Sequence, residues 1–372
     1  MRSSTETDVF FALLRAGLWE QGVRLAPYGT IDFAAVFQLA EEQSAIGLVA
    51  AGLEHVEDMK VAKQDVLPFM KRVLVLEDRN AKMNRFIGSL VTDLRSAGIQ
   101  PVLVKGQGIA QCYARPHWRA AGDVDLLLDK SDYERAKAFL SPKATAVEKE
   151  LEYRMHWAGT IDSWPVELHG SLRNRFLGRM NRFIDSFQQD AFANQRFRIW
   201  MDGDTEVLLP VCDDDAVFIF YHILQHFFAG GIGLRQICDW CRLLWTYRDV
   251  LDVNLLEQRI TGMGILTEWK AFASFAVEYL GMPPTAMPLF TDSKRWMRKA
   301  GRIGSFILRV GNFGHNRDMS YYVKYPFLIR KIISLGRRLA DMANHCRIFP
   351  LDSLRFSSRI LFSGLRSAAR GE

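Results

Sequence analysis

The chain has 372 residues, 49% hydrophobic and 24% charged, a composition that excludes an extended disordered protein and allows two or three units with shared interfaces. Its net charge of +6 is unevenly placed: residues 294–372 carry 17 Lys/Arg against 4 Asp/Glu (+13), while residues 1–293 carry 31 against 38 (−7). Such a basic end serves phosphates, nucleic acid or an anionic membrane, or is simply a solvated helical face.

Residues 8–98 repeat apolar side chains at helical spacing. The periodicity predicts one helix from DVFFALLRAGLWEQG and a second across DFAAVFQLAEEQSAIGLVAAGLEHV with Asp32 as its cap. A long third helix follows from about Val66 to Ser96. The first of these, broken by Arg15 and Glu20, lacks the apolar core and cleavage site of a signal peptide. No run reaches the roughly 18–20 apolar residues of a membrane span, so the expectation is a cytoplasmic protein without an integral membrane segment. Five cysteines at unrelated spacings do not form a disulfide framework.

At Gly98 the pattern changes. Short strands are expected at 100–104 (QPVLV), 123–129 (DVDLLLD), 150–157 (ELEYRMHW) and 165–169 (PVELH). A helix-compatible GQGIAQCYA follows the first strand, and SDYERAKAFL reads as a helix capped by Ser131, with Glu134 completing a capping box. From Asp213 the chain returns to helix through Tyr279, and Gly281-Met282-Pro283-Pro284 ends that run. The basic remainder holds a loop signal, GNFGH at 311–315, then amphipathic helical stretches to about Ala343. The expected organisation is therefore α+β. An N-terminal helical subdomain (1–97) precedes a small mixed α/β domain (98–210), a helical domain (211–290) and a basic helical segment (291–372).

The chemistry concentrates at Gly122-Asp123-Val124-Asp125. Strand side chains alternate, so Asp123 and Asp125 share one face and Val124 the other. Two neighbouring carboxylates repel unless a positive group stands between them, and a hard divalent cation with oxygen ligands, Mg²⁺ or Mn²⁺, answers that need. Glu167, two residues before His169 on another strand, supplies a third carboxylate. Three carboxylates can hold two Mg²⁺ ions about 3.5–4 Å apart, one activating an attacking oxygen and one stabilising a leaving pyrophosphate. Upstream, Lys105-Gly106 joins a strand to a helix, where glycine admits a phosphate to the backbone and Lys105 or Arg119 neutralises it.

These runs, VLVKGQGIAQCYARPHWRAAGDVDLLL and VELHGSL, resemble the polymerase-β-type nucleotidyltransferases, and within them a bacterial family of uncharacterised nucleotidyltransferases often encoded among polysaccharide-biosynthesis genes. The resemblance spans roughly residues 20–315. It rests on Lys105 and Gly106, on Tyr113, Pro116 and Arg119, on Asp123 and Asp125, and on His169. In the helical domain it rests on His222, His226, Leu234, Arg235 and Asp239. Two positions depart from the wider superfamily: Lys105-Gly106 stands where glycine-serine is usual, and Glu167 where aspartate is commoner. The resemblance implies ATP or another NTP as substrate, transfer of its nucleoside monophosphate to an unspecified acceptor, and a small mixed sheet flanked by helices. Two other readings fit the same fold: a catalytically inactive binding or scaffold protein, and a toxin-type enzyme acting on tRNA or protein.

Other residues carry alternatives. His169 is a group that supports the metal ligands from behind, an acceptor-side base or a hydrogen-bonded structural histidine. His226, Arg235 and Asp239 have structural or substrate-facing roles, with Arg235 suited to phosphate. His222 and His226 at i, i+4, with Cys238 and Cys241 at i, i+3, make a set that zinc accepts on paper, although cysteines in an apolar stripe also serve as small hydrophobes. The aromatic residues recur at core spacing and lack an interleaved arginine stripe, so nucleic-acid binding is not favoured.

Overall fold

Apolar periodicity at the N-terminus becomes four helices in the computed structural model, which describes residues 4–148, 155–173, 178–314, 316 and 324–356. They are α1 (Ser4–Trp19), α2 (Phe33–Glu42), α3 (Ile46–Glu54) and the 34-residue α4 (Lys63–Ser96). Asp32 caps α2 as expected, its carboxylate accepting from Ala35 N–H at 3.2 Å. The single helix expected from Asp32 to Val56 is two. Ser44 adopts φ +54°, a left-handed conformation that cannot continue a helix. The break has a use: the side chain and carbonyl of Gln43 accept from the N–H groups of Leu234 and Arg235, at 3.1 and 3.4 Å. α1 and α3 cross where glycine faces backbone; a Cβ on Gly52 would lie 2.0 Å from Leu13 O.

The seven strands among the described residues form one sheet, ordered β3-β4-β5-β2-β1-β7-β6. They are β1 (Val102–Val104), β2 (Val124–Leu127), β3 (Ala146–Val147), β4 (His156–Ile161), β5 (Trp164–His169), β6 (Phe197–Asp202) and β7 (Thr205–Pro210). β1 and β2 are antiparallel, and β2 runs parallel to β5 with Asp125 opposite Glu167. The expected strand at 150–157 begins outside the described residues, and its visible part is the start of β4. The hairpin β6–β7 was not among the expected strands. Between β1 and β2 lies the short α5 (Gly106–Ala110), and after β2 comes α6 (Lys130–Leu140). Asp129, not Ser131, caps α6: its carboxylate accepts from Asp132 N–H and from the Ser131 hydroxyl, both at 2.8 Å. α7 (Gly178–Ala193) precedes the hairpin.

Alternation along the strands splits the interior in two. Leu103, Val124, Leu126, Val166 and Leu168 face α4 and α6, where Met83, Ile87, Val91, Leu94 and Tyr133 close one core. Val102, Val104 and Leu127 face the other way, into a larger core shared by the N-terminal helices and α8 (Cys212–Ala229), α9 (Leu234–Thr246), α10 (Val253–Met263), α11 (Leu266–Leu280) and α12 (Lys294–Val310). Each fully buried large apolar side chain contributes about 1.5–3 kcal/mol. Because Val124, Leu126, Val166 and Leu168 take the first face, period-two geometry turns Asp125, Glu167 and His169 to the second. The polar site thus lies between the sheet and the helices α8 and α9. α13 (Phe327–Ile348) follows, and residues 350–356 are helical again; the last residue of GNFGH, at 315, lies outside the described residues, while Asn312 of that loop bonds Ser44 and Gln236 beside the start of α9.

Candidate active site

β1 ends in an abrupt turn. Lys105 has φ +58° and ψ −142°, a conformation costly for a residue with a side chain, and Gly106 follows at φ +42°. The turn aims the Lys105 ammonium at Asp125, with Nζ 2.9 Å from Oδ1. α5 is only five residues long, too short to offer a useful macrodipole, so the positive charge here comes from Lys105.

Asp125 is 2% exposed and its Oδ1 also accepts from His169 Nε2 at 2.8 Å. The same imidazole nitrogen lies 3.4 Å from Glu167 Oε2, which in turn meets His156 Nε2 at 3.1 Å. Asp123 completes the group: one carboxylate oxygen from each of Asp123, Asp125 and Glu167 lies within 4.8 Å of the others. The repulsion inferred from the sequence is visible in the electrostatics. The charge on Asp125, aided by burial, pushes the Asp123 carboxyl above its usual range. Burial opposes ionisation of Asp125 too, but Lys105 and the His169 hydrogen bond hold its carboxyl below that range. Glu167 is likewise held low against its burial by His156 and His169. Lys105 stays protonated because Asp125 and Asp123 outweigh its desolvation.

Residues 29–281 of the chain match the family described as uncharacterised nucleotidyltransferase. The chain belongs to that family. No curated protein and no solved structure matches it. This nucleotidyltransferase has an α+β fold, a mixed sheet with helical flanks, as the resemblance implied. Its carboxylates open on a cavity of about 370 Å³, whose far wall is formed by Phe218, His222, His226 and Arg235.

The loop between α5 and β2 is tied down on both sides. From α4, Asn80 Nδ2 donates to the carbonyls of His117 and Arg119, and Arg79 to that of Ala121. From α9, Asp239 receives Arg119 through Nε and Nη2, at 3.0 and 2.7 Å, and the Tyr113 hydroxyl at 2.8 Å. Arg119, read from the sequence as a triphosphate ligand, therefore has two of its three nitrogens engaged in a buried ion pair, and Asp239 holds a loop. Arg235 donates from Nη1 to the carbonyl of Ala120, while its buried Nε has no hydrogen-bond partner. Burial and the nearby Arg119 charge lower its pKa.

His222 and His226 face each other with Nε2 atoms 3.0 Å apart. Burial, reinforced by the Lys105 charge, keeps His222 well below its usual value and lowers His226 to about 4, so both rings are neutral near pH 7. Cys238 and Cys241 do not join them in a possible metal group among the described residues; they are buried in the apolar face of α9, where desolvation raises both thiols. Sequence reasoning missed His156. It stands directly opposite His169 across β4 and β5, a pairing that no local pattern reveals.

Proposed function

We propose that this nucleotidyltransferase is metal-dependent, moving a nucleoside monophosphate from an NTP to an acceptor hydroxyl at the Asp123–Asp125–Glu167 cluster. The observation that carries the reading is the convergence of these three carboxylates, two from the start of β2 and one from β5, beside a cation-bearing strand end and an open cavity. An all-oxygen donor set of this kind fits Mg²⁺ or Mn²⁺. Bound there, such ions supply a counter-charge for the leaving pyrophosphate and activate the attacking oxygen.

The remaining work falls to the chain itself. Lys105, on the rigid end of β1, neutralises the triphosphate, and Gly106 leaves the backbone open to it. Arg235 offers its unpaired Nε to a phosphate oxygen from the opposite wall. Asp239 acts indirectly, through Arg119, by fixing the loop that delivers Asp123. An acceptor reaches the carboxylates through the same cavity, past His169 and the α8 histidines. Such transfer depends on positioning and charge neutralisation more than on covalent chemistry, so small displacements of these groups are costly.

The test is a thermal-shift and labelling experiment on the full chain. NTP and Mg²⁺ together should stabilise it more than either alone. In a cell extract, label should move to an acceptor from the α-phosphate position of the NTP and not from the γ position. Asp125→Asn should lower that transfer by at least about 10²–10³-fold. Transfer of γ-label, or unchanged turnover in Asp125→Asn, removes the proposed mechanism.

A further inference from the structure

Glu167 belongs to a second donor group besides the carboxylates. Across the antiparallel pair β4–β5, His156 lies directly opposite His169, and Glu167 lies opposite Ala158 on the same face. The two imidazoles lie side by side, their ring centroids 5.0 Å apart and their planes at 45°. Both Nε2 atoms aim at one atom, Glu167 Oε2, at 3.1 and 3.4 Å. One donor atom each from His156, Glu167 and His169 lies within 4.8 Å of the others.

Donors about 2.0–2.2 Å from a common ion stand about 3–3.5 Å apart in tetrahedral or octahedral geometry, and the two nitrogen–oxygen separations fall in that interval. Two imidazoles and one carboxylate are a poor set for Mg²⁺, which prefers oxygen, and a good one for a divalent transition metal. We infer that His156, His169 and Glu167 form a second cation site, selective for a transition metal of the Mn²⁺–Zn²⁺ class, with Glu167 shared between it and the carboxylate cluster. The nitrogen-rich site adjoins the carboxylate cluster, since His169 Nε2 and Lys105 Nζ both reach Asp125 Oδ1, at 2.8 and 2.9 Å. On binding, His169 Nε2 exchanges its hydrogen bond to Asp125 for the metal. The inference rests on the carboxylate cluster only through Glu167, and it requires no nucleotide.

The chelator-treated full chain, titrated with Mn²⁺ alone, provides the test. Metal analysis should show a bound ion, and pulsed electron paramagnetic resonance should show modulation from imidazole nitrogen. His156→Gln should weaken binding of that ion at least about tenfold and reduce the nitrogen signal. Asp123→Asn should retain the signal, because it removes a ligand from the carboxylate cluster alone. Bound Mn²⁺ without nitrogen coupling, or unchanged coupling in both His156→Gln and His169→Gln, overturns the inference and leaves the three histidine–carboxylate contacts as hydrogen bonds. Thermal stabilisation by NTP with Mg²⁺, measured on wild-type protein and on His156→Gln, keeps the two readings separable. Its loss in both removes the proposed function without touching the nitrogen-bound ion.

Discussion

Around Asp239 the charges are matched. Its two oxygens receive Arg119 through two nitrogens and the Tyr113 hydroxyl besides, and all three side chains are buried. Around Asp125 they are not. Three carboxylates crowd together against one lysine and two histidines, and Asp123 is pushed toward protonation by its own neighbour. Members of both clusters line one cavity, and in each there are residues, Arg119 in the first and the three carboxylates in the second, that a sequence reader takes for ligands. A matched buried pair fixes a structure, and its loss leaves an uncompensated charge. A cluster with surplus negative charge is held in place by the surrounding fold and is suited to a cation.

Crossed substitutions break or sharpen this contrast. Asp239→Ala strands the Arg119 guanidinium in the interior and should cost about 3–5 kcal/mol, seen as a fall of several degrees or more in Tm. Asp123→Asn should do the reverse. It removes a repelling charge, so the metal-free protein keeps or gains thermal stability while nucleotidyl transfer falls by at least about 10²-fold. A large Tm loss in Asp123→Asn, matching that of Asp239→Ala, would show that the two clusters do not differ in kind.

The α8 histidines give a smaller effect with a defined pH window. His226 is lowered to about 4 from an ordinary 6.5, burial being the main cause. The unfolded chain therefore takes up a proton on this ring below pH 6.5, while the folded chain resists until about pH 4. Stability contributed by the neutral ring is fully present above pH 6.5 and is lost as pH falls toward 4. Discounted for partial solvent access, the loss is about 2 kcal/mol. Urea unfolding of wild type and His226→Gln at pH 7 and pH 4.5 measures it; the two proteins should converge in stability at the lower pH. Parallel pH dependence in both would assign the acid sensitivity to other groups.

How much of this was legible beforehand follows from the range of each interaction. Asp123 and Asp125 were placed on one face by strand alternation, and the GNFGH loop by its glycines, because those signals are local. The site's other partners are distant in sequence. Nothing near Arg119 announces Asp239, 120 positions on, and nothing near His169 announces His156, whose position depends on strand register. The break at Ser44 was hidden inside a continuous apolar pattern, since the groups that hold it, the start of α9 on Gln43 and Asn312 on Ser44, are distant in sequence. The β6–β7 hairpin did carry a local sign, Asp202-Gly203 with Gly203 at φ +58°, but Ile199 and Met201 are exposed and blur its alternation.

The start of α6 offers the finest comparison between a local pattern and the interaction formed. Ser131 followed by Glu134 fits a capping box, yet the carboxylate two residues earlier takes the task. Aspartate reaches Asp132 N–H at 2.8 Å from an extended residue, φ −69° and ψ 171°, and an anion there also meets the positive end of an eleven-residue helix. Ser131 already sits inside the helix and donates to Asp129, so its hydroxyl supports the cap without making it. Asp129→Ala should cost about 1 kcal/mol, whereas Ser131→Ala should cost no more than about half of that. Because Asp129 is held below the usual carboxylate range, the gap between these variants should persist at neutral pH and close as pH falls through its folded pKa. Equal losses in the two variants, measured by urea unfolding at pH 7, would return the cap to the serine.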